Sequence, residues 1–126
     1  MTPPSVLIVD DEAELTSALE ERLCLRGFRA VGVTNGPAAL AQLDAMPWDV
    51  VLVDVKMPGL SGLDLVRAIR DRHPAQPVIL LTGHASEEDA AAGQAMGVNE
   101  YLLKPVGIEQ LVEVLRATAD KKEGAT

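Results

Sequence analysis

Apolar residues along this chain follow two alternating rhythms. Uninterrupted runs, Val6-Leu7-Ile8-Val9, Ala30-Val31-Gly32-Val33, Val50-Val51-Leu52-Val53, Val78-Ile79-Leu80-Leu81 and Tyr101-Leu102-Leu103, are separated by longer stretches with helical spacing. Strands that are apolar at consecutive positions, and not only at alternate ones, are covered on both faces, as in parallel sheets. The runs therefore predict five strands with helices packed on both sides.

The intervening segments carry their own start and stop signals. Over residues 12–26, Leu15, Leu19 and Leu23 recur at every fourth position, and Gly27 supplies the left-handed conformation that commonly follows a helix. Asn35-Gly36-Pro37 opens a second helix, with proline tolerated in its first turn, and Pro47 closes it. Ser61 and Asp64 resemble a capping box ahead of Leu65, Val66 and Ile69, and Pro74 ends that helix. Ser86 heads the acids Glu87, Glu88 and Asp89, which suit the positive end of a helix dipole, and Gly97 follows the last turn. The apolar side of residues 86–96 is mostly alanine, so this helix should be weakly anchored. Ile108, Leu111, Val112 and Leu115 give the final helix its buried stripe.

A strand and a helix in alternation, repeated five times with right-handed crossovers, make an α/β chain folded as a doubly wound three-layer sandwich. The flavodoxin-like version of this architecture has a five-stranded parallel sheet in the order 2-1-3-4-5, with its chemistry beyond the carboxyl ends of the strands. Residues 1–119 are expected to form this domain and 120–126 a tail or the start of a linker.

Composition narrows the function. At 126 residues the chain has the size of one domain, and with aromatic residues at 2% its core must be aliphatic. Acidic residues outnumber basic ones, 19 to 11, and the net charge of -8 disfavours nonspecific binding to nucleic acid or anionic membrane. No apolar run reaches the roughly 20 residues of a membrane-spanning helix. Cys24 is the lone cysteine, which excludes an internal disulfide, and it is expected near the core as a small apolar residue. Met1-Thr2-Pro3-Pro4 lacks the features of a signal peptide, so the expected compartment is the cytoplasm.

The polar residues that punctuate the strands carry the candidate chemistry. Asp10-Asp11 follows the first run, Asp54 the third, Thr82 the fourth and Lys104 the fifth. They converge only if the doubly wound reading holds. Two carboxylates about 5 Å apart repel by roughly 3 kcal/mol at an effective dielectric of 20, so a cluster of three calls for a cation. An all-oxygen set suits Mg²⁺, whose charge together with the Lys104 ammonium would balance the three carboxylates. An aspartyl phosphate at Asp54 would add negative charge and acceptor oxygens, which Lys104 and the Thr82 hydroxyl can answer. Taken singly, Asp10-Asp11 also reads as a capping pair, Lys104 as a loop lysine and Thr82 as a turn residue.

Val9-Asp10-Asp11-Glu12, Asp54-Val55-Lys56-Met57-Pro58-Gly59, Thr82-Gly83 and Tyr101-Leu102-Leu103-Lys104-Pro105 together resemble the response-regulator receiver family of bacterial two-component systems, over nearly the whole chain. The resemblance implies that Asp54 takes a phosphoryl group from the phosphohistidine of a sensor histidine kinase or phosphotransfer protein. It implies Mg²⁺ held by Asp11, Asp54 and the backbone carbonyl of Lys56, with Asp10 helping through water. Lys104 would pair with the phosphoryl oxygens, and Thr82 and Tyr101 would act as the switch. The fourth and fifth helices with the fifth strand would meet an output domain or partner protein, and the Lys104-Pro105 bond would be cis. On this reading the domain is no enzyme beyond its own phosphorylation and slow dephosphorylation. His84 and Lys56 are candidate modulators of hydrolysis, overhanging the site mouth, and Gly83 would leave the phosphoryl group open to water.

Three rivals remain at this stage. A flavin binder shares the fold but needs a phosphate-cradling Ser/Thr/Gly loop after the first strand, where Asp10-Asp11-Glu12 would repel phosphate. An aspartyl phosphatase usually carries nucleophile and acid two residues apart in one strand-end loop, whereas here the carboxylates lie on different strands. A degenerate receiver serving only as an interaction module would not need the intact acid, threonine and lysine set.

Overall fold

The computed structural model describes residues 2–57, 61–83 and 86–124, with side chains through Lys121. Strands β1 (Ser5–Val9), β2 (Arg29–Val33), β3 (Val50–Asp54), β4 (Val78–Thr82) and β5 (Glu100–Leu103) alternate with helices α1 (Ala13–Leu25), α2 (Gly36–Ala45), α3 (Gly62–Arg72), α4 (Glu87–Ala95) and α5 (Ile108–Gly124). All strand pairs are parallel and their order is β2-β1-β3-β4-β5, the predicted sheet. Helix α5 continues through Asp120 to Gly124, so the segment expected as a tail begins inside a helix.

The interior strands explain the apolar runs. Every residue of β1, β3 and β4 is buried. Alternate side chains feed two separate cores: Leu7, Val9, Val51, Val53, Val78 and Leu80 pack on one face, with Leu43 of α2 and Leu65 and Ile69 of α3. Val6, Ile8, Val50, Leu52, Ile79 and Leu81 pack on the other, with Leu23 of α1 and Leu111 and Leu115 of α5.

Helix ends follow the local sequence. Asn35 Oδ1 accepts the Ala38 N–H at 2.8 Å, Ser61 Oγ the Asp64 N–H at 3.2 Å and Ser86 Oγ the Asp89 N–H at 3.2 Å. Gly27 and Gly97 take φ of 90° and 73° just beyond α1 and α4, the left-handed conformation that a side chain would oppose. The Lys104-Pro105 peptide is cis.

One expectation for α1 needs correction. Thr16 is buried along with Leu23, its hydroxyl donating to the Glu12 carbonyl at 2.7 Å. Cys24 is exposed instead of lying near the core, because a residue one step past buried Leu23 turns about 100° around the helix, away from the sheet. Among the described residues, no helix is long and apolar enough to cross a membrane.

Candidate functional site

The sheet register determines which polar side chains meet. Val9 pairs with Val53, and the next residues along the two strands are Asp10 and Asp54. Asp54 lies beside Leu81, one step before Thr82, and Thr82 lies beside Leu103, one step before Lys104. Backbone bonds fix both flanks: the Asp10 N–H donates to the Val33 carbonyl at 3.2 Å and the Lys104 N–H to the Thr82 carbonyl at 2.8 Å.

Asp10, Asp11 and Asp54 each present a carboxylate oxygen within 4.8 Å of the others. Asp10 and Asp54 are buried while Asp11 is exposed, so the cluster opens to solvent on the Asp11 side. Asp10 Oδ1 accepts the Glu12 N–H at 3.0 Å, and its Oδ2 accepts from Lys104 Nζ at 3.1 Å. Lys104 Nζ also stands 3.6 Å from Asp54 Oδ2, and the Lys56 N–H donates to Asp54 Oδ1 at 3.2 Å. Hard oxygen donors of this kind, with only one ammonium for three carboxylates, fit a small divalent cation such as Mg²⁺.

The local field perturbs two groups. Burial pushes the Asp54 pKa up, the Lys104 charge pulls it down, Asp10 pushes it up again, and the hydrogen bonds from Lys56 and Lys104 lower it; the balance stays above the ordinary carboxylate value. Burial alone would lower the Lys104 pKa, but its hydrogen bond to Asp10 and the charges of Asp10, Asp54 and Glu12 outweigh that and raise it.

Thr82 is fully buried at the end of β4. A Cβ at Gly83 would meet nothing within 4 Å, so the chain leaves the strand into open space. Tyr101 is half-buried and, with Ser86, Glu87, Ala90 and Leu103, lines a hollow of about 230 Å³ between α4 and β5. The Lys56 ammonium reaches Asp89 on α4 at 3.5 Å. His84 and Gly59 lie outside the described residues.

Sequence reasoning missed two supporting residues. A Cβ at Gly62 would collide with the Asp54 carbonyl oxygen, so the absence of a side chain lets α3 start directly against the acidic strand end. Asp89 reads in the sequence only as an acid in a first helical turn, with no local pattern tying it to Lys56.

Comparison with known proteins agrees with this geometry. The family model described as the response regulator receiver domain matches residues 6–116. Sensory transduction protein RegX3 of Mycobacterium tuberculosis is 42% identical over 113 residues, which are 90% of this chain and 49% of that protein. The chain thus spans about half the length of the curated relatives it matches. A CheY-like receiver domain protein of Methanospirillum hungatei superposes with a TM-score of 0.94 at 25% identity, covering 99% of this chain and 100% of that one. Response regulator TrrA of Thermotoga maritima, solved in complex with Mg²⁺-BeF, superposes with a TM-score of 0.82 at 30% identity, covering 91% of this chain and 98% of that one.

Proposed function

The chain belongs to the response regulator receiver family of two-component signalling, and from that premise we propose that Asp54 accepts a phosphoryl group from the phosphohistidine of a sensor histidine kinase or a phosphotransfer protein. The observation that carries this reading is the meeting of Asp54 with Asp10, Asp11 and Lys104 at the carboxyl edge of the sheet.

In the transfer, an Asp54 carboxylate oxygen forms a bond to phosphorus as the P–N bond to the donor imidazole breaks, and the leaving nitrogen takes up a proton. The Lys56 N–H engages Oδ1, while Oδ2 faces the Lys104 ammonium. Lys104 stands beside that oxygen and beside Asp10, so its ammonium can follow the growing negative charge on the phosphoryl oxygens without leaving the site. Asp11, Asp54 and the Lys56 backbone carbonyl would hold Mg²⁺, with Asp10 helping through water, and the cation would supply charge neutralisation there. Hydrolysis reverses the loading: water attacks phosphorus, the bond to Asp54 breaks, and carboxylate and inorganic phosphate are released. The open approach at Gly83 supports access for that water.

Thr82 and Tyr101 would carry the change outward, Thr82 by bonding a phosphoryl oxygen and Tyr101 by moving against the hollow beside α4. The output domain or partner protein would then read the face made by α4, β5 and α5. The likeness to the sensory transduction protein RegX3 and to CpxR, a transcriptional regulatory protein of Escherichia coli, supports a signalling output of this kind. Incubation with acetyl phosphate and Mg²⁺ should add one phosphoryl group by intact mass, and Asp54→Asn should abolish it. Labelling that persists in the variant would move the acceptor elsewhere.

A further inference from the structure

Helix α4 is held differently from its neighbours. Among the described residues, Gly93 is the one α4 position that is buried, and its backbone lies so close to β4 that a Cβ there would stand 2.8 Å from Leu80 Cδ1. The helix is tied by polar contacts at its two ends. Arg70 of α3 clamps the carboxyl end, its Nε donating to the Met96 carbonyl at 2.7 Å and its Nη2 to the Gly97 carbonyl at 3.0 Å. A further bond from Nη1 to the Gln76 carbonyl at 2.6 Å anchors the same guanidinium ahead of β4.

At the amino end the tie is Lys56 to Asp89. Asp89 Oδ2 is buried and has no hydrogen-bond partner, so the Lys56 ammonium at 3.5 Å is its counter-charge. Lys56 itself is largely exposed, its side chain spanning the groove bordered by Met57, Ser61 and Leu63. Its backbone N–H is already on Asp54 Oδ1, so the same residue touches the acidic centre and α4 at once.

We infer that Lys56 is a latch with two alternative anchors: in the unphosphorylated protein it tethers the first turn of α4 through Asp89, and a phosphoryl group on Asp54 draws it off and releases that turn. This rests on the reading of Asp54 as phosphoacceptor. Converting Asp54 to an aspartyl phosphate adds about one negative charge to a centre otherwise balanced by its cations, so its pull on the Lys56 ammonium rises while that of Asp89 does not. The flexible lysine stem lets the ammonium change partner without moving the backbone. Once it leaves, the buried Asp89 oxygen lacks compensation, an arrangement that favours opening of the helix end toward water. The Arg70 clamp stays in place, so the release swings the amino end while the carboxyl end serves as pivot.

Amide hydrogen exchange in α4 tests this in two arms. Without phosphoryl donor, Lys56→Met should speed α4 exchange severalfold while leaving β1 and β3 amides unchanged, and the same substitution should add nothing in an Asp89→Asn background. An equal effect of Lys56→Met in both backgrounds, or none in either, overturns the tether. After stoichiometric loading of the parent with acetyl phosphate and Mg²⁺, α4 exchange should approach that of unloaded Lys56→Met; unchanged exchange in a fully loaded sample overturns the exchange of partners. If the parent takes up no phosphoryl group, the reading of Asp54 fails and the exchange of partners falls with it, while the first arm still decides whether the Lys56–Asp89 tether exists.

Discussion

Strands β1, β3 and β4 differ sharply from the β5 edge and the helix beside it. The three interior strands bury every residue and support α3 and α5 through large aliphatic side chains, whereas β5 has no buried residue among those described and α4 buries only a glycine. Asp54 and Thr82 are the last residues of interior strands, and Asp10 directly follows one. Lys104 alone comes from the edge, and it is bound to the centre by its ion pairs with Asp10 and Asp54. The contrast teaches that the acidic centre is built where packing is densest, while the edge beside it is held by polar contacts in place of packing.

The largest effect should come from breaking the rigid half. Leu80→Ala removes a fully buried β4 side chain shared with the α4 contact and should cost about 3–4 kcal/mol in denaturant unfolding. Leu103→Ala, at an edge position that is 48% exposed, should cost less than about 0.5 kcal/mol. Comparable losses would erase the distinction between the two regions.

Next in size is the link between them. Lys104→Met leaves Asp10 and Asp54 facing each other without their ammonium and should lower metal-free stability by about 1–2 kcal/mol, with Mg²⁺ recovering part of the loss. Loss of the same size with and without the cation would separate Lys104 from the acidic cluster.

Much of this division was legible before any coordinates. Continuous apolar runs marked the interior strands because a strand buried on both faces has no polar alternation to display, and the alanine-rich segment 86–96 marked the loosely held helix. The acidic site was legible because Asp10, Asp54, Thr82 and Lys104 interrupt those runs at equivalent ends. Helical phase was harder to read: a four-residue leucine spacing drifts around the helix, so Thr16 shares the buried side with Leu23, and Cys24, one step past Leu23, faces solvent. The Lys56–Asp89 pair and the Arg70 clamp join distant segments through long flexible side chains, and no local pattern encodes such meetings.

A smaller effect should follow from filling the acidic cluster. Mg²⁺ at tenfold excess over its dissociation constant should stabilise the parent by about 1.4 kcal/mol, seen as a melting shift of a few degrees. A correctly folded sample with no shift in millimolar Mg²⁺ would remove the metal from the account.

The smallest expected change concerns the charge on Asp54 itself. Folding raises its pKa, chiefly by burial, so the folded state holds that proton more tightly than the unfolded chain. This contribution to stability is full below the ordinary carboxylate pKa and is lost as pH rises through the raised value. In chelator at neutral pH, Asp54→Asn should therefore melt about 1–3 °C above the parent, with the gap closing as the solution is acidified. A gap that widened in acid would reverse the sign of the assigned shift.

The most direct test of the whole account is to locate the phosphoryl group. An acyl phosphate is reduced by borohydride to the alcohol, which converts the modified aspartate to homoserine and marks its place in a peptide map. After treatment with acetyl phosphate and Mg²⁺, the peptide containing Asp54 should carry that mark at Asp54, while Asp10 and Asp11 stay unmodified. A mark on Asp10, Asp11 or any other aspartate, with Asp54 intact, would contradict the assignment of Asp54 as the acceptor.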